Sequence, residues 1–244
     1  MLEARNVHAG YGQTQVLFGI DLQVHRGEVV AIIGSNGVGK TTLLGTIAGL
    51  VKPTEGQITF EGRVLSGRAS DAIVEEGVIL VPEGRRLFQR MSVQRNLELG
   101  AYSKRARPHL ASRLAYVHEL FPVLAERAEQ LGGTLSGGQQ QMCAIARGLV
   151  AMPELLMLDE VSLGLAPVAV SRVYKAIRAI RDAGTTLLIV EQNVSHALSI
   201  ADRAYVIQNG RVVLEGTGRE LSRNPEVQRI YLGLGHIKNQ ETNR

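Results

Sequence analysis

The sequence has a single cysteine, no long apolar run, no low-complexity tract, no internal repeat and no marked excess of charge of either sign. One cysteine, Cys143, excludes an internal disulfide, and no thiol or histidine spacing around it suggests a metal site. It lies in the run Gln140-Gln141-Met142-Cys143-Ala144-Ile145, which predicts a helix with a small packed side chain at that position. No apolar stretch approaches the roughly 18 to 20 residues needed to span a bilayer. The opening Met1-Leu2-Glu3-Ala4-Arg5 reads as the start of a domain, not as a signal peptide, so a cytosolic or peripheral protein is expected. The balance of 27 basic against 23 acidic residues gives a net charge of +4, too even to imply nucleic acid by itself. The densest basic run, Lys104, Arg105, Arg107 and Arg113, is flanked only by Tyr102 and Tyr116 and reads as a solvated face or partner surface before a nucleic-acid contact.

What is present is ordinary globular material, 45% hydrophobic and 20% charged over 244 residues, enough for one domain with a subdomain. Alternating or short apolar runs at Leu2 to Val7 and Ile20 to Val24 predict exposed or edge strands, and Glu28 to Ile33 a buried one. Lys40 to Leu50 has the composition of a helix, which the turn residues Pro53 to Gly56 are expected to stop. Further strands are expected at Gln57 to Phe60, Val78 to Val81, Leu155 to Leu158, Thr186 to Val190, Arg203 to Ile207 and Val212 to Leu214. Between Gln89 and Leu149 no convincing strand occurs. Amphipathic segments ending at Asn96 to Gly100, and spanning Leu110 to Phe121 and Ser136 to Leu149, predict a helical subdomain inserted into an α/β core.

The strongest local signal is Gly34-Ser35-Asn36-Gly37-Val38-Gly39-Lys40-Thr41, a complete G-x-x-x-x-G-K-T loop between a predicted strand and a predicted helix, with Thr42 following. Glycines let successive backbone N–H groups turn toward one anion while the helix presents its positive end. Lys40 can reach the β and γ phosphates of a nucleotide, and the Thr41 hydroxyl can bind Mg²⁺. A second element, Leu155-Leu156-Met157-Leu158-Asp159-Glu160, places two acids just past a strand buried on both faces, where open α/β sheets bind ligands. Asp159 is suited to hold Mg²⁺ and Glu160 to polarise an attacking water, the positioning and charge work that phosphoryl transfer to water requires.

Between these elements lies Leu135-Ser136-Gly137-Gly138-Gln139, and on this run the chain resembles the ABC transporter ATPases, whose signature it matches. The resemblance implies a P-loop NTPase with a RecA-like α/β core, an antiparallel β subdomain and an inserted helical subdomain. It implies ATP and Mg²⁺ as ligands and a head-to-tail dimer, in which Ser136 and Gly138, with Gly137 and Gln139 beside them, meet the ATP held by the partner's loop. It also makes Tyr11 the ring that stacks on adenine, although a strand-end tyrosine in a turn with Gly10 and Gly12 remains an alternative. The run Ser162 to Pro167 resembles the loop crossing between two such sites. One domain over 1–235 is expected, with a core of 1–88 and 150–235, a helical subdomain of about 89–149 and a polar tail at 236–244.

Two departures from the general family pattern are informative. Glu83 stands where glutamine usually senses Mg²⁺, and Gln192 where histidine usually faces the γ phosphate; glutamine donates a hydrogen bond but gains no proton. With Pro82 to Phe88, Ser162 to Pro167 and Val190 to Asn193, these departures resemble one of the two ATPase subunits of bacterial branched-chain amino acid importers. Val161 and Gln139 depart from that subfamily, where proline and glutamate are usual. The subfamily resemblance implies a peripheral protein on the cytoplasmic face of the plasma membrane. It would pair with a second, different ATPase beneath two transmembrane permease subunits fed by an extracytoplasmic binding protein. Glu83 to Phe88 would line the groove that receives the permease, with Leu87 and Phe88 either an exposed anchor or core. Importers of urea, amides or other amino acids, lipopolysaccharide export and non-transport ATPases of the same fold are the alternatives.

Overall fold

In a computed structural model, residues 1–231 are described, so the expected tail at 236–244 lies outside the described residues. The chain forms β1 (Leu2–Tyr11), β2 (Thr14–Val24), β3 (Val29–Ile33), α1 (Lys40–Ile47), β4 (Pro53–Phe60), β5 (Arg63–Val64), α2 (Ser70–Glu75) and β6 (Val78–Val81). A helical stretch follows with α3 (Val93–Glu98), α4 (Leu110–Leu120), α5 (Pro122–Glu126) and α6 (Gly137–Val150). The chain then returns to β7 (Leu155–Asp159), α7 (Pro167–Asp182), β8 (Thr186–Glu191), α8 (Val194–Ile200), β9 (Arg203–Gln208), β10 (Arg211–Thr217), α9 (Gly218–Arg223) and α10 (Pro225–Tyr231).

The strands build two sheets. One has the order β2-β1-β4-β5 and is antiparallel throughout. The other has the order β10-β9-β3-β8-β7-β6, parallel except at the β10 edge. The central strands β3, β7 and β8 are buried at every residue, as apolar runs covered on both faces must be. Their side chains alternate between layers. Leu155 and Met157 of β7 pack with the antiparallel sheet and α1, whereas Leu156 and Leu158 pack with α6, α7 and the helical stretch. Cys143 is fully buried within α6, so the expectation of a small packed side chain holds.

Two local expectations are corrected. The strand from Leu2 is not an edge, because β1 runs between β2 and β4. Helix α1 is stopped not by Pro53 to Gly56 but by Gly49, which takes a left-handed φ of 72° just past the cap at Ala48. Pro53 and Gly56 belong to β4, and Gly56 lies so close to β1 that a Cβ there would sit 2.1 Å from the Asn6 carbonyl oxygen. Among the described residues no helix is long and apolar enough to cross a membrane.

The basic run folds into structural contacts. Arg105 pairs with Glu154 at 2.5 Å, Arg107 donates to the Tyr102 carbonyl at 3.0 Å, and Arg113 donates to the Leu149 carbonyl at 2.9 Å with its guanidinium over the Tyr116 ring. Three of the four cations thereby make contacts within the fold, and only Arg105 has its charge paired with a carboxylate.

Candidate nucleotide site at the carboxyl edge of the parallel sheet

The strand order brings the two predicted elements together. The glycine-rich loop leaves the end of β3, the acidic pair ends β7, and β8 lies between them. All three strands run parallel, so both elements emerge at the same edge. Across that edge the Thr41 hydroxyl meets Asp159 Oδ1 at 3.2 Å.

The loop's shape depends on glycine. Gly37 and Gly39 take φ of 79° and 106°, values that side-chain-bearing residues rarely adopt. At Gly34 a Cβ would lie 2.5 Å from the Ile207 carbonyl oxygen. Ser35, Asn36 and Gly37 are exposed at the tip, Val38 is half-buried, and Lys40 and Thr42 are buried at the start of α1. Lys40 Nζ curls back to donate to the carbonyls of Gly34 at 3.0 Å and Ser35 at 3.1 Å, and it pairs with Glu160 Oε1 at 3.2 Å. Both side chains of that ion pair are almost fully buried, at 3% and 8% exposure, so neither charge has water to fall back on.

Asp159 is buried too. Loss of solvent pushes its carboxyl up to about 6, with the charges of Glu160 and Glu83 adding to the rise and the Thr41 hydrogen bond and Lys40 opposing it. A hydroxyl and a carboxylate presented together, with Glu83 exposed nearby, are hard oxygen donors suited to Mg²⁺. Among the described residues no cluster of three His, Cys, Asp or Glu could hold a metal alone. The donor set therefore fits an ion that takes its remaining ligands from water and phosphate.

Glu160 carries a feature that its position after a strand did not announce. Its φ is 45°, a left-handed conformation uncommon outside glycine, and its N–H donates to the Val190 carbonyl at 2.9 Å. Gln192 is exposed just beyond β8, and with Glu160, Ser162, Leu163, Glu191 and Asn193 it lines a cavity of about 480 Å³. Val161, between Glu160 and Ser162, is fully buried, so its side chain fills core at the position where proline was the usual residue. Tyr11 is 55% exposed at the tip of β1, beside the two-residue turn at Gly12 and Gln13.

The signature run forms the start of α6. Ser136 is its N-cap: the Ser136 hydroxyl accepts from the Gln139 N–H at 3.4 Å, and Gln139 Oε1 accepts from the Ser136 N–H at 3.0 Å. This reciprocal pair is a capping box, so Gln139 does the structural work a glutamate would do without its charge. Gly138 packs against Ala169 of α7, where a Cβ would come within 2.7 Å of the alanine methyl, and Gly137 lies against the Arg85 guanidinium.

Arg85 also donates to Gln140 Oε1 at 3.0 Å, and Arg147 of α6 donates to the Arg86 carbonyl at 2.9 Å. Gly84, Arg85 and Arg86 all have positive φ, of 77°, 66° and 47°, so the segment after Glu83 is a left-handed turn pinned to the signature helix. Sequence reading missed these ties because they join residues far apart in the chain. Asn96, expected only as part of a helix end, is fully buried in α3, where it accepts from the Phe88 N–H at 2.9 Å and donates to the Phe88 carbonyl at 3.1 Å. Phe88 is 53% exposed, whereas Leu87 is half-buried against the core, so one residue of that pair matches the exposed anchor and the other does not. The groove between core and helical stretch, about 310 Å³, is lined by Leu50, Val74, Leu80, Leu99, Tyr102 and Arg147 among others. Pro82 reaches this cavity, and Glu83 to Phe88 lie outside its lining.

The geometry has clear relatives. The family profile described as ABC transporter matches residues 17–162. The high-affinity branched-chain amino acid transport ATP-binding protein BraG of Pseudomonas aeruginosa is 45% identical over 233 residues, covering 96% of this chain and all of that protein. The probable branched-chain amino acid transport ATP-binding protein LivF of Archaeoglobus fulgidus is 33% identical over 96% of this chain and 99% of its own length. Among solved structures, an ATP-binding cassette of an ABC transporter in its ADP conformation superimposes with a TM-score of 0.84 at 26% identity, covering 96% of this chain and 98% of that one.

Proposed function

The chain belongs to the ABC transporter family of ATP-binding subunits, and from that membership we propose that it hydrolyses ATP at the Lys40–Asp159–Glu160 edge to drive import of branched-chain amino acids. The observation that carries the catalytic reading is the meeting of Thr41 with Asp159 and of Lys40 with Glu160 at one buried edge of the parallel sheet. Backbone N–H groups of residues 34–40 and the Lys40 ammonium would balance the phosphate charge, and Tyr11 would stack on the adenine. Thr41 and Asp159, with Glu83 nearby, would hold Mg²⁺, which when bound neutralises charge on the β and γ phosphates. Lys40 would exchange its bonds to Gly34, Ser35 and Glu160 for phosphate oxygens. That exchange releases the Glu160 carboxylate to accept a proton from the water that attacks the γ phosphorus, as the bond to the bridging oxygen breaks. Gln192 would donate a hydrogen bond to the γ phosphate and carry no proton.

Ser136 and Gly138, on the exposed start of α6, would close over ATP bound by a second and different ATPase subunit, with the Ser162 to Pro167 loop between the sites. Beneath two permease subunits on the cytoplasmic face of the membrane, the groove around Leu50, Leu99 and Tyr102 would receive the permease. Its exposed apolar residues beside Arg147 have the composition of such an interface. Relatedness to transport ATP-binding proteins for branched-chain amino acids supports that cargo, delivered by an extracytoplasmic binding protein.

The test is Glu160→Gln in the full chain. ATP binding is expected to persist while hydrolysis falls by about 100-fold or more. Hydrolysis equal to that of the parent protein would refute the role of that carboxylate.

A further inference from the structure

Glu191 is a carboxylate with 1% exposure at the last residue of β8, and nothing in the hydrolytic scheme above uses it. Burial of an acid is costly unless its lone pairs are engaged. Here they are engaged by one residue: the Ser162 N–H donates to Glu191 Oε1 at 3.2 Å and the Ser162 hydroxyl donates to Oε2 at 2.8 Å. Tyr174 of α7 lies beside the same carboxylate, its ring 5.0 Å from that of His196 of α8. The Tyr174 hydroxyl is buried beside this carboxylate but outside hydrogen-bond geometry, so the two well-formed bonds to Glu191 among the described residues come from Ser162.

Ser162 stands two positions after Glu160, with only the buried Val161 between them. The left-handed backbone of Glu160 is thus held on both sides by one strand end. The Val190 carbonyl takes the Glu160 N–H, and the Glu191 carboxylate takes both donors of Ser162. A non-glycine residue persists at such a φ only where its surroundings over-determine it. We propose that Glu191 is a positioning residue for hydrolysis, fixing the Glu160 carboxylate in its reactive place through a two-point clamp on Ser162. The inference rests on the role given to Glu160 above.

The experiment compares steady-state ATP hydrolysis by the full chain, in the complex extracted with it, for Glu191→Ala, Glu191→Gln, Ser162→Ala and the Glu191→Ala/Ser162→Ala pair. Glu191→Ala is expected to lower kcat by between about 10- and 100-fold, as a misplaced reacting group does, while the KM for ATP moves less than about twofold. Glu191→Gln, which keeps an acceptor for the Ser162 N–H, is expected to recover most of the loss. Ser162→Ala should lower kcat in the same direction, and adding it to Glu191→Ala should cost less than about twofold more, because both changes break one clamp. Four results would overturn the proposal: unchanged kcat in Glu191→Ala, a KM rising in step with the loss, Gln as poor as Ala, or losses that multiply in the pair. Should Glu191→Ala fail to fold, Ser162→Ala on the half-buried loop decides alone: kcat falls if the clamp acts, and stays level if it does not. Inactive Glu160→Gln beside fully active Glu191→Ala would defeat this inference and leave the hydrolytic reading intact. Active Glu160→Gln would defeat the hydrolytic reading first.

Discussion

Asparagine in place of Asp159 should make the nucleotide-free protein more stable while spoiling its site. The Asp159 side chain is 2% exposed, and its carboxyl sits at about 6 against an ordinary 3.8, first through lost solvent and then through the charges of Glu160 and Glu83. A shift of roughly 2 units at about 1.36 kcal/mol each makes the ionised form cost the fold about 3 kcal/mol. Because the folded pKa lies above the unfolded one, the folded state holds the proton more tightly. Stability from this group is complete below about 3.8, is lost as pH rises through about 6, and stays lost above that. Asparagine keeps an oxygen to accept the Thr41 hydroxyl and carries no charge. At pH 8 without nucleotide the variant should therefore melt higher than the parent by about 6 to 12 °C, at about 2 to 4 °C per kcal/mol for a chain of this size. The gap should narrow below pH 6 and close near pH 4. With Mg²⁺ and ATP the parent should gain melting temperature and the variant much less. Differential scanning fluorimetry across pH reads all of this. A variant that melts at or below the parent at pH 8 would refute the electrostatic reasoning.

Two further outcomes follow from contacts in the site. Lys40→Ala leaves the Glu160 carboxylate buried without its partner, so it should lower the melting temperature by the equivalent of about 3 kcal/mol in addition to weakening ATP binding. Adding Glu160→Gln should restore much of that stability, as thermal melts of the single and double variants can read. Gln139→Ala removes one half of the capping box and should cost about 1 kcal/mol by denaturant titration, whereas Gln139→Glu should leave stability within about 0.5 kcal/mol of the parent.

The phosphate loop and the acidic pair were legible in the sequence because their chemistry is local. Glycine at 34, 37 and 39 is demanded by a close approach or by positive φ, and a run of four apolar residues before Asp159 marks a strand buried on both faces. Their meeting was not legible. Thr41 and Asp159 are 118 positions apart, and only the order β3-β8-β7 makes them neighbours. Nor does composition announce a left-handed Glu160, whose N–H is bonded to the Val190 carbonyl of the neighbouring strand. Pro53 and Gly56 misled for a related reason: residues that make turns in isolation also serve at an irregular strand register, as they do where β4 meets β1. The basic run from Lys104 to Arg113 read as surface, yet Arg105 and Arg113 reach inward to Glu154 and the Leu149 carbonyl, partners that no local pattern identifies.

The proposed role is that of an ATPase working inside a heteromeric membrane importer. Its most direct test is mass spectrometry of everything that stays bound when the tagged chain is gently extracted from its native membranes with ATP present. Recovery of two different transmembrane subunits together with a second ATPase is the predicted result. Recovery of only self-associated chain with a single kind of membrane partner would contradict it.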